Sequence, residues 1–158
     1  MRASPFDEVR FFRAIHHSGA RALLIGRRAL VLLGLPVLTA DYDFWIAIDD
    51  VAVFNAAAAT VDLVPTMSPE DARRRGRYVV KNDEHVDVLV ARSIPTVEGQ
   101  PVAFEDLWRL RQPVTIAPGV DVQIPSIEGL ILTKQIALRP KDVEDIRLLR
   151  IRQEQDKP

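Results

Sequence analysis

Apolar residues along this chain repeat with two alternating periods, one helical and one of strands. Phe6, Val9, Phe11 or Phe12 and Ile15 share one side of a 3.6-residue repeat, which predicts a helix stopped by Gly19. Ser4, Pro5 and Asp7 read as its N-cap, first-turn proline and capping-box-like acid. ALLI at 22–25 predicts a short buried strand ended by Gly26, and residues 27–33 a short apolar helix broken by Gly34-Leu35-Pro36. A second strand is expected over 42–48, after which Asp49 and Asp50 supply the N-cap of an alanine-rich helix reaching about Ala59. The polar, basic stretch 65–77 reads as a loop or a marginal helix. RYVV and HVDVLVAR, split by Lys81-Asn82-Asp83-Glu84, predict a β-hairpin, and 103–110 a short helix. VTI and VDVQI around Ala117-Pro118-Gly119 predict a second hairpin. Ser126 caps a helix to about Leu138, and Pro140 opens a last helix with Val143, Ile146 and Leu149 as its apolar stripe. With no repeat or low-complexity tract, the pattern describes one α+β domain over 1–158. Its sheet is mixed or antiparallel and packs against helices, those at about 126–153 included.

Composition narrows the class. The 47% apolar and 27% charged fractions are those of an ordinary globular protein, and 158 residues suit one core. A formal net charge of −1 gives no global attraction to nucleic acid or anionic membrane. The absence of cysteine excludes disulfides, thiolate nucleophiles and Cys-based zinc sites. The N-terminus lacks the apolar core of a signal peptide, and Leu23–Leu38 contains Arg27, Arg28, two glycines and a proline. A cytoplasmic protein with no membrane partner is the expectation.

Two acids change the picture. Asp41 and Asp43 stand one residue apart at the entry to the second predicted strand, where side chains two apart share a face. Like charges held that close raise each other's pKa unless a cation neutralises them. Asp87 alternates with Val86, Val88 and Val90, so it points away from the apolar face of its own strand. Three such oxygen donors suit Mg²⁺ or Mn²⁺, which characteristically also bind substrate phosphates. The plainer readings are a solvated strand entry for the pair and an ordinary half-exposed strand for Asp87.

Three ordered blocks carry a resemblance. Gly26, Ala29, Gly34, Pro36, Thr39, Asp41 and Asp43 occupy the spacings of a Gly-Gly or Gly-Ser turn followed by Gly-x-Pro-Arg-x-Thr-x-Asp-x-Asp. VDVLV at 86–90 is similar to a strand bearing a third carboxylate. IPSIEGLILTKQIALRPKDVEDIRLL is similar to a Pro-Ser-x-Glu-x-Leu-x-x-x-Lys helix followed by Arg-x-Lys-Asp-x-x-Asp-Ile. Over about residues 20–150 the chain resembles the minimal nucleotidyltransferases of the DNA polymerase β superfamily, particularly small prokaryotic proteins related to nucleotidyltransferase toxins. It departs from them at Arg27, where a small residue is usual, and at Val37, where an arginine is.

The resemblance implies a nucleotidyltransferase fold and transfer of a nucleoside monophosphate from an NTP to a hydroxyl of an RNA, protein or small-molecule acceptor, in a toxin–antitoxin or defence setting. Asp41, Asp43 and Asp87 become the catalytic, metal-binding acids. Gly26, Arg27, Arg28, Thr39 and Lys134 become nucleotide contacts. A second subunit or another protein would help hold the acceptor. The alternative is a degenerate relative, with Arg27 filling the phosphate position, that acts as a nucleotide-binding or protein-interaction module. Lys134 either snorkels outward from its apolar helix or reaches phosphate. Arg139, Lys141, Asp142 and Asp145 read as a helix-junction salt-bridge cluster of surface pairs. The RRRGR run at 73–77 reads as a solvated loop or a phosphate-binding patch.

Overall fold

A computed structural model describes residues 6–158, so the predicted cap at Ser4 and Pro5 lies outside the described residues. In chain order the elements begin with α1 (Glu8–Ser18), β1 (Ala22–Ile25), α2 (Gly26–Leu32), β2 (Tyr42–Ile46) and α3 (Val51–Ala59). Next come β3 (Val64–Pro65), α4 (Pro69–Arg75), β4 (Arg77–Lys81), β5 (His85–Leu89), β6 (Ser93–Pro95), β7 (Pro101–Ala103) and α5 (Phe104–Arg109). The chain ends with β8 (Gln112–Ala117), β9 (Val120–Ile124), α6 (Ile127–Lys134) and α7 (Pro140–Gln155). Five strands form a mixed sheet in the order β1-β2-β5-β4-β3. Within it β2 and β5 run parallel, and the other neighbours pair antiparallel. Among the described residues no helix is long and apolar enough to cross a membrane.

Strand alternation sorts the chain onto two faces. Leu24, Phe44, Ile46, Val86 and Val88 join Phe11 and Phe12 of α1 and Phe54 of α3 in the larger core. Leu23, Ile25 and Trp45 face the other way, into a smaller cluster with Val102, Phe104 and Leu107. Trp45 is fully buried, and its indole N–H donates to the Ala91 carbonyl at 2.9 Å. Asp43 and Asp87 lie on this second face, one pleat along from Trp45 and Leu89. The β6–β7 ribbon, α5 and α6 cover part of that face, and the two acids lie where the cover ends.

Several expected boundaries shift for physical reasons. Strand β2 ends at Ile46, and a 3-10 turn, Ile48–Asp50, precedes α3. Asp50 occupies the N-cap position of α3 as expected, but its carboxylate makes no capping bond and instead accepts from the Arg21 amide at 2.9 Å, just ahead of β1. The basic stretch forms a capped helix, with Ser68 accepting from the Asp71 amide. The β3 strand and the β6–β7 ribbon are too short to leave a readable period. Helix α6 stops at Lys134, four residues before Leu138, whose φ of 49° is incompatible with helix.

The last helix presents the largest departure. Leu149 is buried and Ile146 half-buried as expected, but Val143 is 55% exposed. The face that α7 turns inward carries Asp142 and Asp145 together with Leu149. The expected surface salt-bridge cluster is thus in large part an interior one.

Candidate active site

The site begins at the β1–α2 junction. Gly26 has φ +69°, and a Cβ built there would lie 2.5 Å from Asp43 Oδ2 and 3.2 Å from its Cγ. Only glycine leaves this space to the carboxylate. Ile25 pairs with Asp43 across β1 and β2, so the strand register itself brings the turn against the acid. Gly26→Ala should cost on the order of 1–3 kcal/mol in backbone strain alone and displace the Asp43 carboxylate. Thermal unfolding and nucleotide binding measured on one preparation would check both effects.

Asp43 and Asp87 are direct partners in the β2–β5 ladder. Neighbouring strands lie about 4.8 Å apart, so paired side chains rise side by side from one face. Burial, then the charges of Asp87 and Asp41, push the Asp43 pKa up to about 6, while Lys134 and Lys141 pull it down. Asp87 is 55% exposed, with His85 Nε2 3.4 Å from its Oδ1. Asp41 lies outside β2, exposed, in the segment that leads into the strand. Among the described residues no three His, Cys, Asp or Glu side chains converge as a ready metal cluster. What the fold preassembles is the Asp43–Asp87 pair, with Asp41 close enough to act on Asp43 through its charge.

Thr39 and Arg28 shape the entry to β2. The Thr39 hydroxyl accepts from the Asp41 amide at 3.0 Å. Arg28 donates to the carbonyls of Asp41 and Thr39, lies 3.5 Å from Glu8 Oε1 and stacks 4.2 Å over the Tyr42 ring. In this conformation its guanidinium fixes the Asp41 loop and the docking of α1.

A second cluster sits behind the acids. Lys134 is 6% exposed, with Nζ 2.9 Å from Asp145 Oδ2 and 3.8 Å from Asp142 Oδ1. Arg27 Nε lies 3.2 Å from the same Asp145 oxygen, and Arg27 Nη1 reaches the Leu38 carbonyl at 3.4 Å. Asp145 is fully buried, and its Oδ1 has no hydrogen-bond partner among the described residues. Arg139 closes the cluster by bonding Asp142 Oδ2 through both Nε and its backbone amide. Burial raises the Asp142 pKa, but these two bonds and the charges of Arg139 and Lys134 outweigh it and hold the carboxyl below its ordinary value. Lys134 thus neither snorkels outward nor stands free. It is an interior cation whose charge reaches Asp43.

These groups border a cleft of about 790 Å³. Asp43, Asp87, Val79 and Leu89 form its floor, Gly26 and the α6–α7 residues Thr133, Lys134, Arg139 and Asp142 one side, and Thr66, Met67, Arg75 and Arg77 the other. Arg27 is not among the lining residues, because Asp145 holds its side chain aside. The burial of Asp145 was not legible from periodicity, since an acid between Glu144 and Ile146 on an amphipathic helix reads as surface, although the Arg-x-Lys-Asp-x-x-Asp-Ile run had singled the residue out. Its i,i+3 relation to Asp142 was the available signal.

No protein-family model matches the chain, and no curated protein matches its sequence. Solved structures do. A protein provisionally described as a nucleotidyltransferase, TM1012 from Thermotoga maritima, superposes with a TM-score of 0.58 at 15% identity, covering 92% of this chain and 89% of that one. The antibiotic-resistance factor ANT(2'')-Ia gives a TM-score of 0.60 at 14% identity, covering 89% of this chain and 78% of that one. The chain has the nucleotidyltransferase fold. At such identities the likeness speaks for architecture alone.

Proposed function

We propose that this nucleotidyltransferase-fold protein is a metal-dependent enzyme that moves a nucleoside monophosphate from an NTP to an acceptor hydroxyl. The observation that carries the proposal is the Asp43–Asp87 pairing on the floor of the cleft, against a glycine whose missing side chain makes room for Asp43. A partly buried carboxylate raised to about 6 by burial and neighbouring acids is a site that gains from a cation, and the all-oxygen donor set fits Mg²⁺ or Mn²⁺. Asp43 and Asp87, with Asp41, would hold it. When bound, the metal supplies charge neutralisation for the triphosphate and the departing pyrophosphate.

The chain's own groups do the rest. The Gly26 turn that opens α2 lies beside Asp43, where the β and γ phosphates would rest, and Lys134 contributes positive charge from behind. The acceptor oxygen forms a bond to the α phosphorus as the bond to the pyrophosphate oxygen breaks. Pyrophosphate leaves with that electron pair, and the hydroxyl proton passes to a carboxylate, for which exposed Asp87 is the accessible candidate. Mg²⁺-dependent pyrophosphate release, or label transfer from α-labelled NTPs, should be present in the wild type and absent from an Asp41→Ala/Asp43→Ala variant.

A second reading, a nucleotide-binding or interaction module without turnover, is favoured by one observation: the described acids do not converge as a ready three-carboxylate cluster. NTP binding without transfer to RNA, protein or small-molecule acceptors would select it. A toxin–antitoxin or defence role belongs to the active reading, and growth arrest on expression that disappears in the double variant would be its sign.

A further inference from the structure

The cleft has cations on two sides, and only one side is neutralised. On the α6–α7 side, Lys134 is held by Asp145 at 2.9 Å and Arg139 by Asp142 at 3.0 Å. On the opposite side Arg75 and Arg77 line the cleft, and among the described residues neither has a carboxylate within ion-pairing distance or a side-chain hydrogen bond. Their neighbours differ: Arg73 donates to the Ile48 carbonyl at 3.1 Å and Arg74 pairs with Asp71. The RRRGR run therefore divides into two arginines that serve the fold and two that face the cleft unpartnered.

Gly76 makes this division. Its φ of +79° ends α4 and starts β4 within one residue, and a Cβ there would come 3.1 Å from the Ala91 Cβ. Arg75 thus closes a helix and Arg77 opens a strand on the same side of the cleft. Arg77 pairs with Leu89, two residues along β5 from Asp87, whose own partner on β4 is Val79. Because the sheet order is β1-β2-β5-β4, these arginines flank Asp87, whereas Gly26 and Lys134 serve Asp43.

We infer that Arg75 and Arg77 bind a phosphate group of the acceptor, so that the hydroxyl receiving the nucleotide belongs to a phosphorylated molecule. The inference rests on the nucleotidyltransferase reading, in which the Asp87 side of the metal site faces the acceptor. Two guanidinium forks suit phosphate oxygens, which accept paired N–H bonds. The near-neutral overall charge means that recognition comes from this local pair rather than from a general attraction to polyanions.

The test compares wild type with Arg75→Ala/Arg77→Ala in two binding assays. One uses a short, labelled single-stranded RNA with a free terminal hydroxyl, the other Mg²⁺ and an NTP. RNA affinity should fall roughly tenfold or more in the variant, and the slope of log affinity against log salt should flatten by about 0.7, the contribution of one lost phosphate contact on a single strand. NTP affinity and thermal unfolding should be retained. Competition by adenosine 5′-monophosphate as strong as by unlabelled RNA would support a small phosphorylated acceptor; competition by RNA alone would support a strand end. Equal RNA affinity and slope in both proteins would overturn the inference, as would an equal loss of NTP affinity, which would place the arginines on the triphosphate. Absence of Mg²⁺-dependent NTP binding by the wild type is a separate failure: it removes the nucleotidyltransferase reading and, with it, the acceptor role.

Discussion

Replacing Asp43 by asparagine should abolish nucleotidyl transfer and, at neutral pH, stabilise the protein. The two effects share one cause. Burial and the neighbouring acids raise the Asp43 pKa from 3.8 to about 6. The folded state therefore binds a proton more tightly than the unfolded state, and stability falls as pH rises through that interval. Above about pH 6 the ionised group costs at most roughly 3 kcal/mol, at ~1.4 kcal/mol for each tenfold change. A carboxamide at this position occupies the same space without the charge. The melting temperature of Asp43→Asn should exceed that of the wild type at pH 7.5, by roughly 2–4 °C for each kcal/mol in a chain this long, and the two should converge near pH 4. Mg²⁺ should raise the wild-type melting temperature and leave the variant unchanged, since only a group that binds the ion can transmit its stabilisation. A variant that is less stable than the wild type at every pH would sink the argument.

The second large effect should come from Asp145, and in the opposite direction. This carboxylate is fully buried and shared by Lys134 and Arg27, which join α6 and α2 to α7. Asp145→Ala leaves the buried Lys134 ammonium with only the more distant Asp142 carboxylate at 3.8 Å, and removing one partner of an interior ion pair costs about 3–5 kcal/mol. That corresponds to a fall in melting temperature on the order of 10 °C. Adding Lys134→Met should recover most of it, because an apolar pair of similar volume replaces a buried ionic one at little cost. The double variant should remain deficient in NTP binding, since the cation that acts on the Asp43 site is gone. Urea unfolding and NTP titration separate these outcomes. If Asp145→Ala unfolds within about 0.5 kcal/mol of the wild type, as a surface substitution would, the interior network contributes nothing.

The two predictions meet in the arrangement of charge. Among the described residues Asp43 on the floor of the cleft has no protein cation bonded to it and Asp87 has only His85 beside it, whereas the side behind carries cations bonded to their own acids. A charged ligand entering the cleft would meet a carboxylate pair in want of a cation and, at Arg75 and Arg77, guanidinium groups in want of an anion. A metal with its nucleotide and a phosphorylated acceptor would satisfy both.

The sequence by itself determined the element order around the acids, because short strands ended by glycine or aspartate and helices ended by proline leave strong local signals. It also marked Gly26, Asp41, Asp43, Asp87 and Lys134 as one group, although only through resemblance, since nothing local places Asp87 beside Asp43. That juxtaposition belongs to the parallel β2–β5 register, a contact between segments more than forty residues apart. Tertiary structure alone decided the fate of the charges. Arg27 and Arg28 look alike in sequence, yet one turns to Asp145 and the other to Glu8, Tyr42 and the Asp41 loop. Asp142 and Asp145 look like surface acids, yet they occupy the inward face of α7. Of four neighbouring arginines only Arg75 and Arg77 reach the cleft. Periodicity reports which face of an element is apolar. Which ionic group a buried charge pairs with depends on long-range packing, and no local pattern encodes it.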